Sequence, residues 1–94
     1  MDIQQQQHET IVLDFYSDWC NPCKNLMRDL DEISKDFNAK IEKVNIVDNY
    51  ALTEQYNVTT VPTVIILKHQ TPPTRYIGYR GKEDLRKFLT ENIS

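Results

Sequence analysis

Apolar residues along this chain form two kinds of run, some nearly continuous and some recurring every three or four positions, and the alternation predicts the elements. From residue 11 to residue 16 the run IVLDFY is apolar except for Asp14 and rich in β-branched and aromatic side chains, the pattern of a strand covered on both faces. Leu26, Met27, Leu30, Ile33 and Phe37 then recur along one helix face, predicting a helix from about residue 20 to residue 37. Ile41, Val44 and Ile46, interleaved with Lys40, Glu42, Lys43 and Asn45, predict a second strand over residues 40 to 47 whose polar positions suit a sheet edge. Asp48 and Asn49 offer capping side chains for a short helix over residues 50 to 56, where Leu52 and Tyr56 share a face, and Asn57 stops it. Pro62 precedes a buried strand over residues 63 to 67. A connection from residue 68 to residue 74, containing the turn Pro72-Pro73, leads antiparallel into a strand over residues 75 to 79. Leu85, Phe88, Leu89 and Ile93 repeat with helical spacing, and Glu83 and Asp84 occupy the first turn, where the helix dipole favours acids. Residues 1 to 10 have no periodicity and include a glutamine run at positions 4 to 7, so they are expected to form a flexible arm before a domain of residues 11 to 94.

The order is therefore β-α-β-α-β-β-α, an α/β fold. Helical crossovers imply a parallel pair, and right-handed crossovers place the first strand centrally in a mixed sheet with helices on both faces. A functional site is expected where that strand ends, at Cys20. A length of 94 residues fits one domain and excludes two. Eleven Lys and Arg against fourteen Asp and Glu leave a net charge of −3, which removes the electrostatic basis of nucleic-acid binding. The longest uninterrupted apolar stretch, residues 64 to 67, is far too short to span a bilayer, and the N-terminus lacks the basic and apolar regions of a secretory signal. A monomeric, cytoplasmic protein with no nucleic-acid or membrane partner is expected.

Two cysteines cannot staple a small fold, but Cys20-Asn21-Pro22-Cys23 lies between a predicted strand and a predicted helix. A thiol at a helix N-terminus has a lowered pKa, because unpaired N–H groups and the helix dipole stabilise the thiolate, which is the attacking species in disulfide exchange. Cys23, on the first turn, can return to resolve a mixed disulfide on Cys20. Pro22 is tolerated there because the first turn has no intrahelical N–H bond to lose. The competing reading is half of a zinc site, which needs two further ligands where only His8 and the distant His69 are available. No metal or organic cofactor is expected.

The stretch IVLDFYSDWCNPCK, residues 11 to 24, resembles the active-site segment of thioredoxins, in which an apolar strand with a buried Asp leads into W-C-x-P-C-K. VTTVPT, residues 58 to 63, is similar to the family's cis-proline loop, and Tyr76-Ile77-Gly78 to its last strand and substrate-groove glycine. Three separated motifs in the correct order cover residues 11 to 94 without obvious gaps. The resemblance implies the thioredoxin fold and dithiol-disulfide exchange, with Cys20 attacking and Cys23 resolving. It implies that Asp14 is a buried acid and base for Cys23, its pKa raised by desolvation, and that Lys43 is the neighbouring cation that lowers it again. It also implies that Val61 and Pro62 present backbone to an extended substrate, with Gly78 leaving the groove floor open, while Trp19, beside Cys20, is expected to shield the site or contact the partner. The partners implied are disulfide-bearing proteins and a thioredoxin reductase or glutaredoxin-type electron donor. Blander readings of single residues are Asp14 bonding backbone, Lys43 as a solvating edge charge, Trp19 as ordinary partial burial and Gly78 as a bulge.

The chain departs from the family's pattern in several places. Ten mostly polar residues cannot supply the strand and helix that precede the family's central strand, so the strand at residues 40 to 47 is expected to be an exposed edge. Asn21 replaces the usual glycine between the cysteines, a position that, with Pro22, tunes the redox potential. Arg28 stands where a helix-kinking proline is common, and residues 70 to 73 replace a glycine-containing turn. The reading is a thiol-disulfide oxidoreductase that reduces protein disulfides. A disulfide oxidant or isomerase, and a thioredoxin-fold binding subunit without redox turnover, are the alternatives.

Overall fold

The structure is a computed structural model describing residues 9 to 93. Its elements are β1 (Ile11–Tyr16), α1 (Asn21–Ile33) with a following 3-10 turn (Ser34–Asp36), β2 (Lys40–Asn45), α2 (Tyr50–Gln55), β3 (Thr63–Lys68), β4 (Thr71–Ile77) and α3 (Lys82–Ile93). The strands form one sheet in the order β2-β1-β3-β4. β1 runs parallel to β2, with Asp14 opposite Lys43, and antiparallel to β3, with Phe15 opposite Thr63. β3 and β4 are antiparallel neighbours. Strands on both edges of β1 and helices on both faces of the sheet explain why its run is almost uniformly apolar.

Alternation along β1 divides the core into two layers. Val12 joins Leu26, Leu30 and Ile33 of α1, Val64 and Ile66 of β3, and Leu85 and Leu89 of α3 on one face. Leu13 and Phe15 join Val44 and Ile65 on the other, where Leu52 and Tyr56 of the α2 segment pack against them. Each Leu or Ile that is fully buried here contributes roughly 1.5 to 3 kcal/mol relative to exposure. Asp14 follows Val12 by two positions and therefore points to the α1 face.

Several expected boundaries moved. The first helix stops being α-helical at Ile33, although Phe37 still packs on the core, because a 3-10 turn carries the chain onward to it. α-Helical structure runs unbroken through Arg28. β2 ends at Asn45, two residues early, where the Asn45 side chain takes over the Val47 N–H at 2.9 Å. Asn49 occupies the N-cap position of α2 without capping it, and its side-chain amide donates instead to the Asn45 carbonyl at 3.0 Å. Asn57 ends that segment in a left-handed conformation, φ 54°. The largest correction concerns Pro72 and Pro73, which lie inside β4 and not in a turn. The turn is the pair His69-Gln70, with Gln70 at φ 62°, and Lys68 faces Thr71 across it. Register shifts by one between Ile66 and Lys68, so the two prolines together face Leu67 in a bulge. An outer strand tolerates them there, because bulged positions on a sheet edge have no ladder bond to lose. β4 accordingly ends at Ile77, leaving Gly78 and Tyr79 in the loop before α3. Of the expected arm, residues 1 to 8 lie outside the described residues, and the Thr10 carbonyl accepts the Lys40 N–H at 2.8 Å.

Candidate active site

Parallel pairing puts the C-terminal ends of β1 and β2 at one pole of the sheet, and antiparallel pairing brings the start of β3 and the end of β4 to the same pole. Cys20, Pro62 and Gly78, distant in sequence, are gathered there by topology alone. Cys20 is the N-cap of α1 and is joined to Cys23 as a disulfide with Cα atoms 5.2 Å apart. The Cys23 backbone N–H donates to Cys20 Sγ at 3.2 Å, so the sulfur holds the place of a capping oxygen at the helix N-terminus. When the disulfide opens, that N–H and the other unpaired donors of the first turn stabilise negative charge on the sulfur. Asn21 and Pro22 form the exposed start of the helix, whereas Cys23 is fully buried. A half-buried sulfur and a fully buried one are thereby held together in one helical turn.

Asp14 is completely buried, and neither carboxyl oxygen has a hydrogen-bond partner, which disposes of the reading that it bonds backbone. Burial pushes its carboxyl up to about 7, Lys43 pulls it down, and Asp31 adds to the rise. Lys43 stands opposite Asp14 across the β1–β2 ladder, but its Nζ is bound to Asp31 of α1 at 2.9 Å. The cation thus moderates Asp14 from a distance while neutralising a surface acid. The Ser17 hydroxyl, buried where β1 leads into the cysteine loop, also has no partner.

The Val61–Pro62 peptide is cis, and the Pro62 carbonyl accepts the Gly78 N–H at 2.9 Å, tying the loop before β3 to the end of β4. Pro62 is buried and Val61 half-buried. Gly78 has φ 83°, a conformation that side chains disfavour, so the glycine is needed for the backbone path and not for a bulge. Trp19 is 74% exposed beside Cys20, which excludes ordinary burial.

Two partners escaped the sequence reading. Asp29 lies at a stripe position between Leu26 and Leu30, is nearly buried, and accepts a hydrogen bond from the Tyr79 hydroxyl. That bond is the main reason its carboxyl sits below the usual range, while burial and Asp29 hold the Tyr79 hydroxyl up at about 12. Its spacing from Leu26 was the available signal, but an acid on an apolar face reads as an interruption. Among the other tyrosines, Tyr76 is buried against Phe88 and Tyr56 meets Phe15 edge-on, whereas Tyr50 is exposed.

The family model of thioredoxin matches residues 1–91. The chain belongs to the thioredoxin family. It is 34% identical over 85 residues to the thioredoxin of Haemophilus influenzae, covering 88% of this chain and 79% of that protein. It is 35% identical to the thioredoxin of Buchnera aphidicola over the same length and coverage. Among solved structures, Fasciola hepatica thioredoxin superposes with a TM-score of 0.81 at 27% identity, covering 93% of this chain and 85% of the other. A Halobacterium salinarum thioredoxin, at 23% identity and a TM-score of 0.83 over 96% and 80% of the two chains, shares the fold. The family's chemistry is thiol-disulfide exchange at a redox-active disulfide, and thioredoxins use no cofactor beyond it. Among the described residues no group of three or more His, Cys, Asp or Glu could hold a metal ion, and His8 lies outside them. No helix among those residues is long and apolar enough to cross a membrane.

Proposed function

We propose that this chain is a protein-disulfide reductase. The Cys20 thiolate attacks one sulfur of a substrate disulfide, forming a mixed disulfide, and the other substrate sulfur leaves as a thiolate that takes a proton from solvent. Asp14, ionised over part of the neutral range, then accepts the Cys23 proton, and the Cys23 sulfur attacks Cys20 Sγ. This forms the Cys20–Cys23 disulfide and releases the second substrate sulfur as a thiolate, which is protonated in turn. Two electrons and two protons pass from the dithiol to the substrate. The single observation supporting the role of Asp14 is its fully buried, unpartnered carboxyl on the α1 face of β1, behind the helix that carries both cysteines.

Val61 offers its backbone beside Pro62 to an extended substrate segment, and Trp19 and Gly78 border it. Asn21 and Pro22 set the balance between dithiol and disulfide at the helix start. Turnover requires a thioredoxin reductase or glutaredoxin-type donor to restore the dithiol, and a reducing cytoplasm suits that direction of flow. Residues 11 to 94 act as the working domain.

Equilibration with glutathione or dithiothreitol redox buffers tests the direction. A reduction potential below roughly −240 mV is expected, whereas one above about −200 mV would make the protein an oxidant or isomerase. Cys20→Ser is expected to abolish disulfide reduction, and cellular activity that survives it would favour the binding-subunit reading. Asp14→Asn is expected to slow turnover at neutral pH, and unchanged kinetics would remove Asp14 from the mechanism.

A further inference from the structure

Among the described residues four large hydrophobic side chains are exposed, Trp19 at 74%, Tyr50 at 68%, Val47 at 61% and Ile77 at 49%. All four lie at the pole that carries Cys20. Trp19 follows the end of β1, Val47 and Tyr50 follow the end of β2, and Ile77 ends β4. The opposite pole, with the His69-Gln70 turn and the entry to β2, exposes Asn38, Lys40, His69 and Gln70, with Pro72 and Pro73 beside the turn. Ile77 precedes Gly78 and belongs to the groove already described. Val47 and Tyr50 stand on the other side of the cysteines, beyond the β2 edge and three strand positions from Ile77, about 14 Å at the usual strand spacing.

This flank is fastened to the cysteine loop. The Asn45 side chain donates to Asp18 Oδ1, next to Trp19, at 3.2 Å and accepts the Val47 N–H at 2.9 Å. The Asn45 carbonyl accepts the Asn49 N–H at 3.0 Å, fixing the residue before Tyr50, whose hydroxyl donates to Glu54 at 2.9 Å. Apolar side chains held in place but exposed represent a preorganised contact, since little freedom remains to be lost when a partner covers them. The charge carried by the flank itself is acidic, and the Arg75 cation is taken up at the far end of α2 by the Tyr56 and Asn57 carbonyls. Asp18, Asp48 and Glu54 surround the pair, and no Lys, Arg or His occurs from residue 44 to residue 57.

Building on the reductase reading, we infer that Val47 and Tyr50 form a second substrate contact on the β2 side of the cysteines. Its occupant is a protein segment with apolar side chains next to basic ones, beside the disulfide being reduced. A second copy of this chain is a poor occupant, because a symmetric contact would press Asp18, Asp48 and Glu54 of two protomers together.

Pre-reduced protein would be mixed in single-turnover reactions with two disulfide-cyclised peptides, one flanked by Leu-Lys and one by Ser-Glu, and with oxidised glutathione. Wild type is expected to reduce the Leu-Lys peptide on the order of fivefold to tenfold faster than the Ser-Glu peptide. The double variant Val47→Ser, Tyr50→Ser, altered only at exposed positions, is expected to lose that preference and to react with oxidised glutathione as wild type does. Equal wild-type rates on the two peptides, or a preference that survives in the variant, would overturn the inference. Sedimentation showing a dimeric wild type and a monomeric variant would also overturn it, by assigning the flank to a second copy. Failure of wild type to reduce any of the three disulfides would fell the reductase reading, and the inference with it.

Discussion

Replacing Asp14 with asparagine alters stability in a way that depends on pH, and both the window and the size of the effect follow from burial. The folded carboxyl titrates at about 7 against 3.8 in the unfolded chain. A raised acid pKa means that the folded state holds its proton more tightly, so ionisation opposes folding. Below about pH 3 the group is protonated in both states and costs nothing. Between roughly pH 4 and pH 7 only the unfolded chain loses the proton, and the penalty grows; above about pH 7 it levels off. A shift of roughly three units at about 1.4 kcal/mol each sets the plateau at roughly 4 kcal/mol. Full burial of the carboxyl leaves solvent little opportunity to screen this. The substituted carboxamide cannot ionise, so Asp14→Asn should be more stable than wild type by an amount that rises with pH across this window. Its burial adds only a pH-independent offset. Urea unfolding of both oxidised proteins at pH 3, 5, 7 and 8 reads the difference, and all other acids cancel between the two. A stability difference that stays constant from pH 3 to pH 8 would refute the reasoning, and with it the claim that Asp14 is an acid and base near neutrality.

Two further outcomes follow from the neighbours of buried acids. Lys43→Gln removes the cation that lowers Asp14, so the Asp14-dependent midpoint in that unfolding series should move above about pH 7; a midpoint that stays put would mean that the Asp31 tether keeps Lys43 from acting. Tyr79→Phe removes the donor to Asp29 and should cost about 1.5 to 3 kcal/mol at neutral pH. Because that bond depresses the Asp29 carboxyl, the loss should shrink as pH falls through the carboxylate range, and denaturant unfolding at pH 7 and pH 3 checks it.

What was legible in the sequence was whatever local pattern and local chemistry dictate. The seven elements and their order follow from periodicity, which reports how many sides of each segment are buried. The cysteine pair at a helix start follows from the four residues CNPC and the strand before them. Asp14 stood out because an acid inside an apolar run must either be paired or be costly, and the structure leaves it unpaired. Element ends were less legible. Pro72 and Pro73 read as a turn because proline cannot donate to a ladder, and only the place of β4 at the sheet edge, with a bulge opposite Leu67, makes them strand residues. Asp29 looked like a break in the helix stripe until a tyrosine 50 residues later supplied its partner.

The sequence by itself determined the fold class and the reacting sulfurs, since strand burial, helix periodicity and the position of a thiol at a helix N-terminus are properties of neighbouring residues. Only the tertiary structure decided which distant groups meet: Pro62 with Gly78, Tyr79 with Asp29, Lys43 with Asp31, and the gathering of Trp19, Val47, Tyr50 and Ile77 at one pole. Those encounters depend on strand order and direction, which arise from packing two layers against a single sheet and are written in no short stretch of the chain.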